Sequence, residues 1–313
     1  MRRKAVSLVG LLQAAAVVTM LFSVATIFDA AHRNIELFSH FRLQYLAVSV
    51  LLLIVFALLR SPAYVVALLV TALLNASYVM PWYGGGTLAA GNANLKLLHA
   101  NVYSGNDEYE RLFDFIATEQ PDVIFLQEIT PAWDVACDRL REKYPYAYSV
   151  PREGNFGIAM FSRIALDSVT HVDSPPQAFP TIVATMTVGD TPLTLINTHP
   201  TIPLTQSLYE ARNEQLESVA DLALRAHGAV ILTGDINSSF WSRPYRMLEQ
   251  STGLRNTRRG FGIQPTWPTF MPFAMIPLDH ALVSDDIEVV GTRTGARIGS
   301  DHLPLVVEIA VGS

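Results

Sequence analysis

Three uncharged apolar runs crowd into the first 82 residues of this 313-residue chain, and they dictate what its N-terminal part can become. Ala5–Phe28 has 24 residues, Leu43–Leu59 has 17 and Ser61–Trp82 has 22. At roughly 1.5 Å per residue, a helix made from each run covers most or all of a ~30 Å hydrocarbon core. Buried helices of soluble proteins do not call for uncharged runs of this length. Three transmembrane helices are therefore expected, at about 5–28, 43–59 and 61–82, within a membrane domain of residues 1–83. A cleaved signal peptide is the competing reading of the first run, because Met1-Arg2-Arg3-Lys4 precedes it. The length of that run and the two that follow favour a span. Arg60-Ser61-Pro62 is a charged break between the second and third runs, and Trp82 and Tyr83 stand where interfacial aromatic anchors belong.

Charge divides the chain in the same place. Of 22 basic and 28 acidic residues, six and two fall in residues 1–93, which leaves sixteen against twenty-six, a formal −10, beyond them. A domain this acidic does not attract polyanions non-specifically, which counts against an avid nucleic-acid binder. Within the apolar part, Arg2, Arg3, Lys4 and Arg60 fall on one side of the expected spans, and Arg33 and Arg42 on the other. The positive-inside rule then puts the N-terminus in the cytoplasm of a plasma or inner membrane, and three crossings put everything after Trp82 outside. Residues 84–93, rich in Gly and Ala, read as a linker to a soluble domain of residues 94–313. The one cysteine, Cys137, excludes an intrachain disulfide.

From Asn94 onward, short apolar strands alternate with amphipathic helices. Strands are predicted at 94–102, 122–127, 157–161, 181–188, 193–197, 229–233, 280–283, 287–291 and 305–309. Helices are predicted at 107–119, 130–143 and 207–226. Thr130-Pro131 is an N-cap and N1 pair, Gly189-Asp190 a hairpin turn, and Gly228 a C-terminal cap. Helical crossovers and hairpins together imply mixed rather than purely parallel sheets.

Almost every strand ends in a polar residue suited to metal or phosphate chemistry. Leu97-Leu98-His99-Ala100 leads to Asn101, and Val123–Gln127 leads to Glu128. The next strands lead to His199, to Asp235 and Asn237, to Asp279, and to Asp301-His302. Each has an ordinary reading by itself, such as a turn residue, a helix cap, a satisfied core histidine or an Asx turn. Six such coincidences in sequential order make the ordinary reading improbable, because strand ends gather at one edge of a sheet.

The ordered set N-V (101–102), Q-E (127–128), N-T-H (197–199), G-D-I-N (234–237), L-D-H (278–280) and S-D-H-L-P (300–304) closely resembles the endonuclease/exonuclease/phosphatase superfamily, with its DNase I-like fold. The resemblance covers about residues 94–309. It implies a four-layer α/β sandwich: two mixed β-sheets flanked by helices, here preceded by the three transmembrane helices. It also implies roles. Glu128 is the main ligand of Mg²⁺ (Mn²⁺ is the alternative), supported by Asn101 and Asp301. Asp235 orients or deprotonates the attacking water, and Asn237 holds the water or the phosphate. His199 donates to a phosphoryl oxygen. His302 does likewise or acts as an acid, with Asp279 fixing its tautomer and raising its pKa. Two positions depart from the family pattern. Tyr103 stands where many nuclease members carry an acid or amide, which bears on the metal shell, and G-D-I-N replaces G-D-F-N, where only packing should change.

Three apolar helices followed by such a domain resemble the membrane-anchored VanJ-type group, which implies an extracytoplasmic site and a lipid-linked pyrophosphate as substrate. The bilayer and that lipid are the expected partners, with no protein partner expected. The segment Thr266–Ile276 (TWPTFMPFAMI), with Trp267, precedes Asp279 directly. It reads either as a loop for the bilayer interface or an isoprenoid tail, or as ordinary core or strand. Arg255, Arg258 and Arg259 read either as a phosphate or headgroup contact, with Arg258 the candidate, or as a solvated loop. An exported nuclease or other phosphodiesterase, and a non-catalytic module keeping only the fold, are the alternatives.

Overall fold

The computed structural model describes residues 7–84 and 92–312, so most of the expected 84–93 linker lies outside the described residues. The chain falls into two compact units. One comprises residues up to Pro81 together with Trp241–Arg243, and the other comprises Trp82–Phe240 and Pro244 onward.

In the first unit, α1 (Leu8–Ala25) is capped by Ser7, whose Oγ accepts from the Gly10 amide. It is followed by α2 (Arg33–Ser39), α3 (Arg42–Leu58) and α4 (Pro62–Val79), the last with Pro at its first turn. The unit is built inside out. Leu8, Leu21, Leu51, Leu58, Val66 and Leu73 are exposed, whereas Ser23, Ser49, Thr71 and Asn75 are buried. Lipid tails accept such an exterior, and inside it Asn75 Nδ2 donates to Ser23 Oγ at 2.9 Å between helices. Two helical stretches, Leu8–Phe28 and Pro62–Trp82, are long and apolar enough to cross a membrane.

The expected middle span is different. α3 has 17 residues and meets α2 at a 64° bend. Alone it covers only ~25 Å, short of a ~30 Å core. The break falls where Arg42 turns inward. Its guanidinium donates to the Ser23 carbonyl at 3.0 Å and to Asn75 Oδ1 at 3.3 Å, and lies 4.0 Å from the centroid of the Tyr78 ring. Arg42 is thus a buried pin, not the loop charge that the positive-inside count assumes.

In the second unit, the chain runs β1 (Leu95–Asn101), α5 (Tyr109–Glu119), β2 (Val123–Gln127), α6 (Pro131–Cys137), β3 (Tyr146–Val150), β4 (Ile158–Ser162), β5 (Leu166–Ser174), β6 (Phe179–Val188), β7 (Thr191–Thr198), α7 (Gln206–Leu224), β8 (Ala229–Asp235), α8 (Arg243–Thr252), β9 (Arg255–Asn256), β10 (Asp279–Val283), β11 (Ile287–Thr294) and β12 (Leu305–Val311). Two six-stranded sheets result, in the orders β11-β12-β1-β2-β4-β3 and β5-β6-β7-β8-β10-β9. The β1–β2 and β7–β8 pairs are parallel and the other pairs antiparallel, so both sheets are mixed.

The core between the sheets is apolar, with Leu95, Leu97, Val123, Phe125 and Met160 facing Ile182, Leu195, Ile231, Ala281 and Val283. On the outer face of the first sheet, Leu98, Ala100, Ile124 and Leu126 receive Leu112, Phe113 and Ile116 of α5 and Trp133 of α6. α7 lies over the outer face of the second sheet, where Gln215 reaches Thr198. Layers of helix, sheet, sheet and helix follow from these faces.

Most expected elements are present within a few residues, including the Thr130 cap, whose Oγ1 accepts from the Trp133 amide at 3.2 Å. α6 ends at Cys137 and tightens into a 3-10 turn over Asp138–Glu142. α7 is capped by Arg225 rather than Gly228, which lies further on against Pro192.

Gly234 is required by sheet packing. A Cβ there would stand 2.2 Å from the Thr198 carbonyl oxygen on the neighbouring strand. Gly234→Ala is therefore expected to destabilise this unit by about 3 kcal/mol. The thermal midpoint of the purified variant measures it.

Candidate active site

Period-two alternation builds the site. The odd-numbered residues of β1, Leu95 and Leu97, face the other sheet, so His99 and Asn101 continue the same face to the strand end. The same parity carries Gln127 at the end of β2, Asn197 and then His199 at the end of β7, Asp235 at the end of β8, and Asp279 at the start of β10. Apolar residues fill the sandwich, and polar ones close one end of it. Just beneath that end, Gln127 Nε2 donates to Asn197 Oδ1 across the two sheets, and Asn197 Nδ2 donates to the carbonyl of Ala159 at 3.1 Å.

Glu128 breaks the parity. By alternation its side chain would join the outer face, but its φ of +62° turns it back into the site. There Oε1 accepts from Asn101 Nδ2 at 3.0 Å and Oε2 accepts from the Ser104 amide at 2.8 Å. Tyr103 (φ +61°) and Asn237 (φ +50°) are also left-handed. Among the described residues, three of the seven non-glycine residues with positive φ thus belong to this small region, where strain is offset by the contacts it makes possible.

Asn101 joins the two sheets' acids, since its Nδ2 also donates to Asp235 Oδ2 at 3.0 Å. Asp235 Oδ1 accepts from the Asn237 amide at 3.1 Å, and Asn237 Nδ2 donates to the Pro200 carbonyl at 2.9 Å. Both His199 Nε2 and His302 Nε2 approach Asp235 Oδ2, at 3.6 and 3.5 Å. Asp279 is held from two sides: Oδ1 is 2.9 Å from His99 Nε2 and Oδ2 is 2.8 Å from His302 Nδ1.

These contacts set the charge states. Burial alone would neutralise the His302 imidazole, but the carboxylates of Asp279 and Asp235, with the Asp279 hydrogen bond, raise it to about 10. Against the same burial penalty, His302 and His99 hold Asp279 well below the usual carboxylate range, and His302 and His199 lower Asp235. His199 is raised, since Asp235 and Glu128 outweigh its burial. Asp301 moves the other way. Burial raises it, only partly offset by His302 and the Trp267 hydrogen bond. At neutral pH the site therefore holds an ionised Asp235 and Asp279 beside a protonated His302.

The buried oxygens also fit a hard cation. Asp301 Oδ1 is buried with no hydrogen-bond partner, while its Oδ2 accepts from Trp267 Nε1 at 3.0 Å. An orphaned carboxylate oxygen near Glu128 is a donor set that a divalent ion completes. Ligand atoms of Asp235, Asp279 and His302 also lie within 4.8 Å of one another. Both oxygens of Asp279 are already engaged by histidines, so the Glu128–Asp301 side is the better place for a cation.

Two expectations need correction. Arg258 does not offer its charge to a substrate. It is fully buried and donates to the Asp279 carbonyl at 2.7 Å and the Gln264 carbonyl at 3.2 Å, fixing the chain on which Asp279 stands. Nor do the three arginines act together, since Arg255 pairs with Asp285 and Arg259 with Glu249. Trp267 is half-buried and holds Asp301, with its ring 6.3 Å from that of His302. One residue of the site was not singled out from the sequence, His99. The signal was a polar i, i+2 pair with Asn101 on a strand face otherwise made of Leu95 and Leu97. His280, next to Asp279, has the opposite parity. Burial and Arg258 push it down to about 3, and it stays a neutral partner of Asn256 and the Ser238 carbonyl.

Known proteins share this fold. No curated protein sequence matches the chain. Among solved structures, D. rerio TDP2 complexed with a single-strand DNA product superposes with a TM-score of 0.58 at 18% identity, over 69% of this chain and 99% of that one. An endonuclease/exonuclease/phosphatase from Beutenbergia cavernae gives 0.58 at 20%, over 71% and 72%. The human Nocturnin catalytic domain with bound sulfate gives 0.57 at 18%, over 69% and 94%. At these identities the likeness establishes the DNase I-like fold. The sequence itself matches the family model described as the Endonuclease/Exonuclease/phosphatase family over residues 98–302, a span that contains every polar strand end described above. The chain belongs to the endonuclease/exonuclease/phosphatase family.

Proposed function

We propose that this chain is a membrane-anchored, Mg²⁺-dependent phosphoester hydrolase that acts on a lipid-linked phosphate, such as undecaprenyl pyrophosphate, from an extracytoplasmic site. The observation that carries the hydrolase reading is the convergence of Glu128, Asp235, Asp301 and two histidines with raised pKa at one end of the sandwich. The anchoring draws on the two membrane-length helices, the lipid-linked substrate on the resemblance to the VanJ-type group, and the extracytoplasmic side on α2 and α3 together making a third crossing across their bend.

Each side chain has a task suited to hydrolysis at phosphorus. Asp235, kept ionised, orients a water and takes its proton. Asn101 and the Asn237 amide fix the two carboxylate oxygens of Asp235, so the base has one direction to face. His199 and the protonated His302 donate to phosphoryl oxygens as charge builds. Asp279 is a positioning residue, holding His302 through Nδ1 and leaving Nε2 for the reaction. Mg²⁺ held by Glu128 and Asp301, beside Asn101, would neutralise charge on the phosphoryl group.

Detergent-solubilised full-length protein is expected to release phosphate from undecaprenyl pyrophosphate with Mg²⁺, and to stop when EDTA is added. An otherwise active preparation that leaves this lipid intact would overturn the substrate assignment. A phosphatase reporter fused after Ser313 tests the sidedness, and an inactive fusion would place the domain in the cytoplasm. The second reading, a nuclease, is favoured by the fold's likeness to a protein captured with a single-strand DNA product. The −10 charge of the soluble domain opposes it. Robust metal-dependent plasmid nicking would put it first.

A further inference from the structure

The catalytic unit carries its exposed apolar side chains in an uneven way. Among the described residues, twelve large hydrophobics of this unit are exposed. Six of them, Tyr103, Ile202, Leu204, Phe270, Met271 and Phe273, lie on the three loops that continue from the strand ends bearing the site. Tyr103 follows Asn101, Ile202 and Leu204 follow His199, and the other three precede Asp279. The loop Thr266–Ile276 is neither core nor strand at its tip, where Phe270 is 68% and Phe273 80% exposed. Its base is firmly built. Trp267 and Ile276 pair as an isolated bridge, and the Thr269 amide donates to the Asp301 carbonyl at 2.9 Å. Thr266 accepts from the Leu303 amide through its carbonyl and from the Asp279 amide through Oγ1. A firmly built base thus carries an exposed apolar tip next to Asp279 and Asp301, the kind of patch that marks an interaction surface.

We infer that these three loops form a bilayer-docking surface, which sets the mouth of the site against the lipid interface. The occupant is a lipid surface because the same chain supplies two membrane-length helices. The acidic charge of the unit offers no attraction to anionic headgroups, so docking rests on apolar insertion and persists at high salt. This inference goes beyond the proposed reaction and holds whatever phosphoester is cleaved.

Cys137 is buried, and burial pushes its thiol up to about 12, so a cysteine introduced elsewhere is the reactive one. The test uses the full chain in phosphatidylcholine–phosphatidylglycerol nanodiscs, as Phe273→Cys and, at the opposite end of the sandwich, Leu224→Cys, each labelled with an environment-sensitive dye. The label at 273 is expected to shift to the blue and to be quenched by spin-labelled phospholipid, at low and high salt alike, while the label at 224 is not. Equal quenching at the two positions would overturn the inference. So would a blue-shifted label at 273 that lipid quencher does not reach, because it would assign the surface to a protein contact. As a second measurement, Phe270→Ser/Phe273→Ser is expected to lower the quenching of a Met271→Cys label roughly tenfold. Unchanged quenching in that variant would contradict the docking. Loss of activity on a lipid substrate leaves these readouts intact, so failure of the docking and failure of the proposed reaction are told apart.

Discussion

Glu128→Gln is expected to slow phosphate release roughly a thousandfold, a loss of about 4 kcal/mol in transition-state stabilisation. The exchange keeps the size of the side chain and asks nothing new of the backbone at φ +62°. It removes the negative charge, and it leaves one of two donors, Asn101 Nδ2 or the Ser104 amide, facing an NH₂ group. Both consequences act where the cation and the phosphate meet. Binding of Mg²⁺, followed by titration calorimetry, should weaken in parallel with the rate. A variant that retains half of the wild-type rate would show that Glu128 is not the main ligand. Because the lost contacts lie at the end of the sandwich and not in the apolar core, the thermal midpoint should move by only a few degrees.

Asp279→Asn is expected to lower the rate by about two to three orders of magnitude, for a different reason. The carboxylate is the largest favourable influence on His302 and the acceptor of its Nδ1 proton. An amide can present its NH₂ group to that nitrogen, which selects the wrong tautomer and removes the charge that keeps the ring protonated. If Asp279 acts through His302, then Asp279→Asn/His302→Asn should fall no further than His302→Asn alone. Losses that multiply in the double variant would give Asp279 an independent role. His99 offers a further check, since it grips the other oxygen of Asp279. His99→Gln should reduce the rate less than Asp279→Asn, because the carboxylate and its hold on His302 both remain.

What was legible in the sequence was the periodicity. Asn101, His199 and Asp235 at the ends of apolar strands, and Asp279 at the start of one, could be read because alternation forces each onto a defined face, whereas Glu128 showed only as the polar residue that follows such a strand. The mixed sheets followed from helical crossovers and a hairpin. Features that depend on the third dimension were less visible. Arg258 reads as a surface charge by residue type, yet it is buried, with two backbone carbonyls accepting from its terminal nitrogens. Arg42 misled in the same way, and with it the count of spans. The edge strand β5 (LDSVTHVDS) carries polar residues on both faces, which hides its period, and α8 (RPYRMLEQST) is short and opens on Arg-Pro. His99 was hidden by its company, because it follows Leu97-Leu98 inside β1 rather than standing at the strand end. The left-handed turn at Glu128 has no sequence signature, since Glu seldom adopts it.

The central claim is that water attacks phosphorus at this end of the sandwich. Turnover of the lipid pyrophosphate in water enriched in heavy oxygen tests it most directly, with the released phosphate analysed by mass spectrometry. One heavy oxygen per phosphate released is the predicted result, with Glu128→Gln forming too little product to measure in the same time. Heavy oxygen found in the lipid alcohol instead, or phosphate release that Glu128→Gln leaves unchanged, would contradict it.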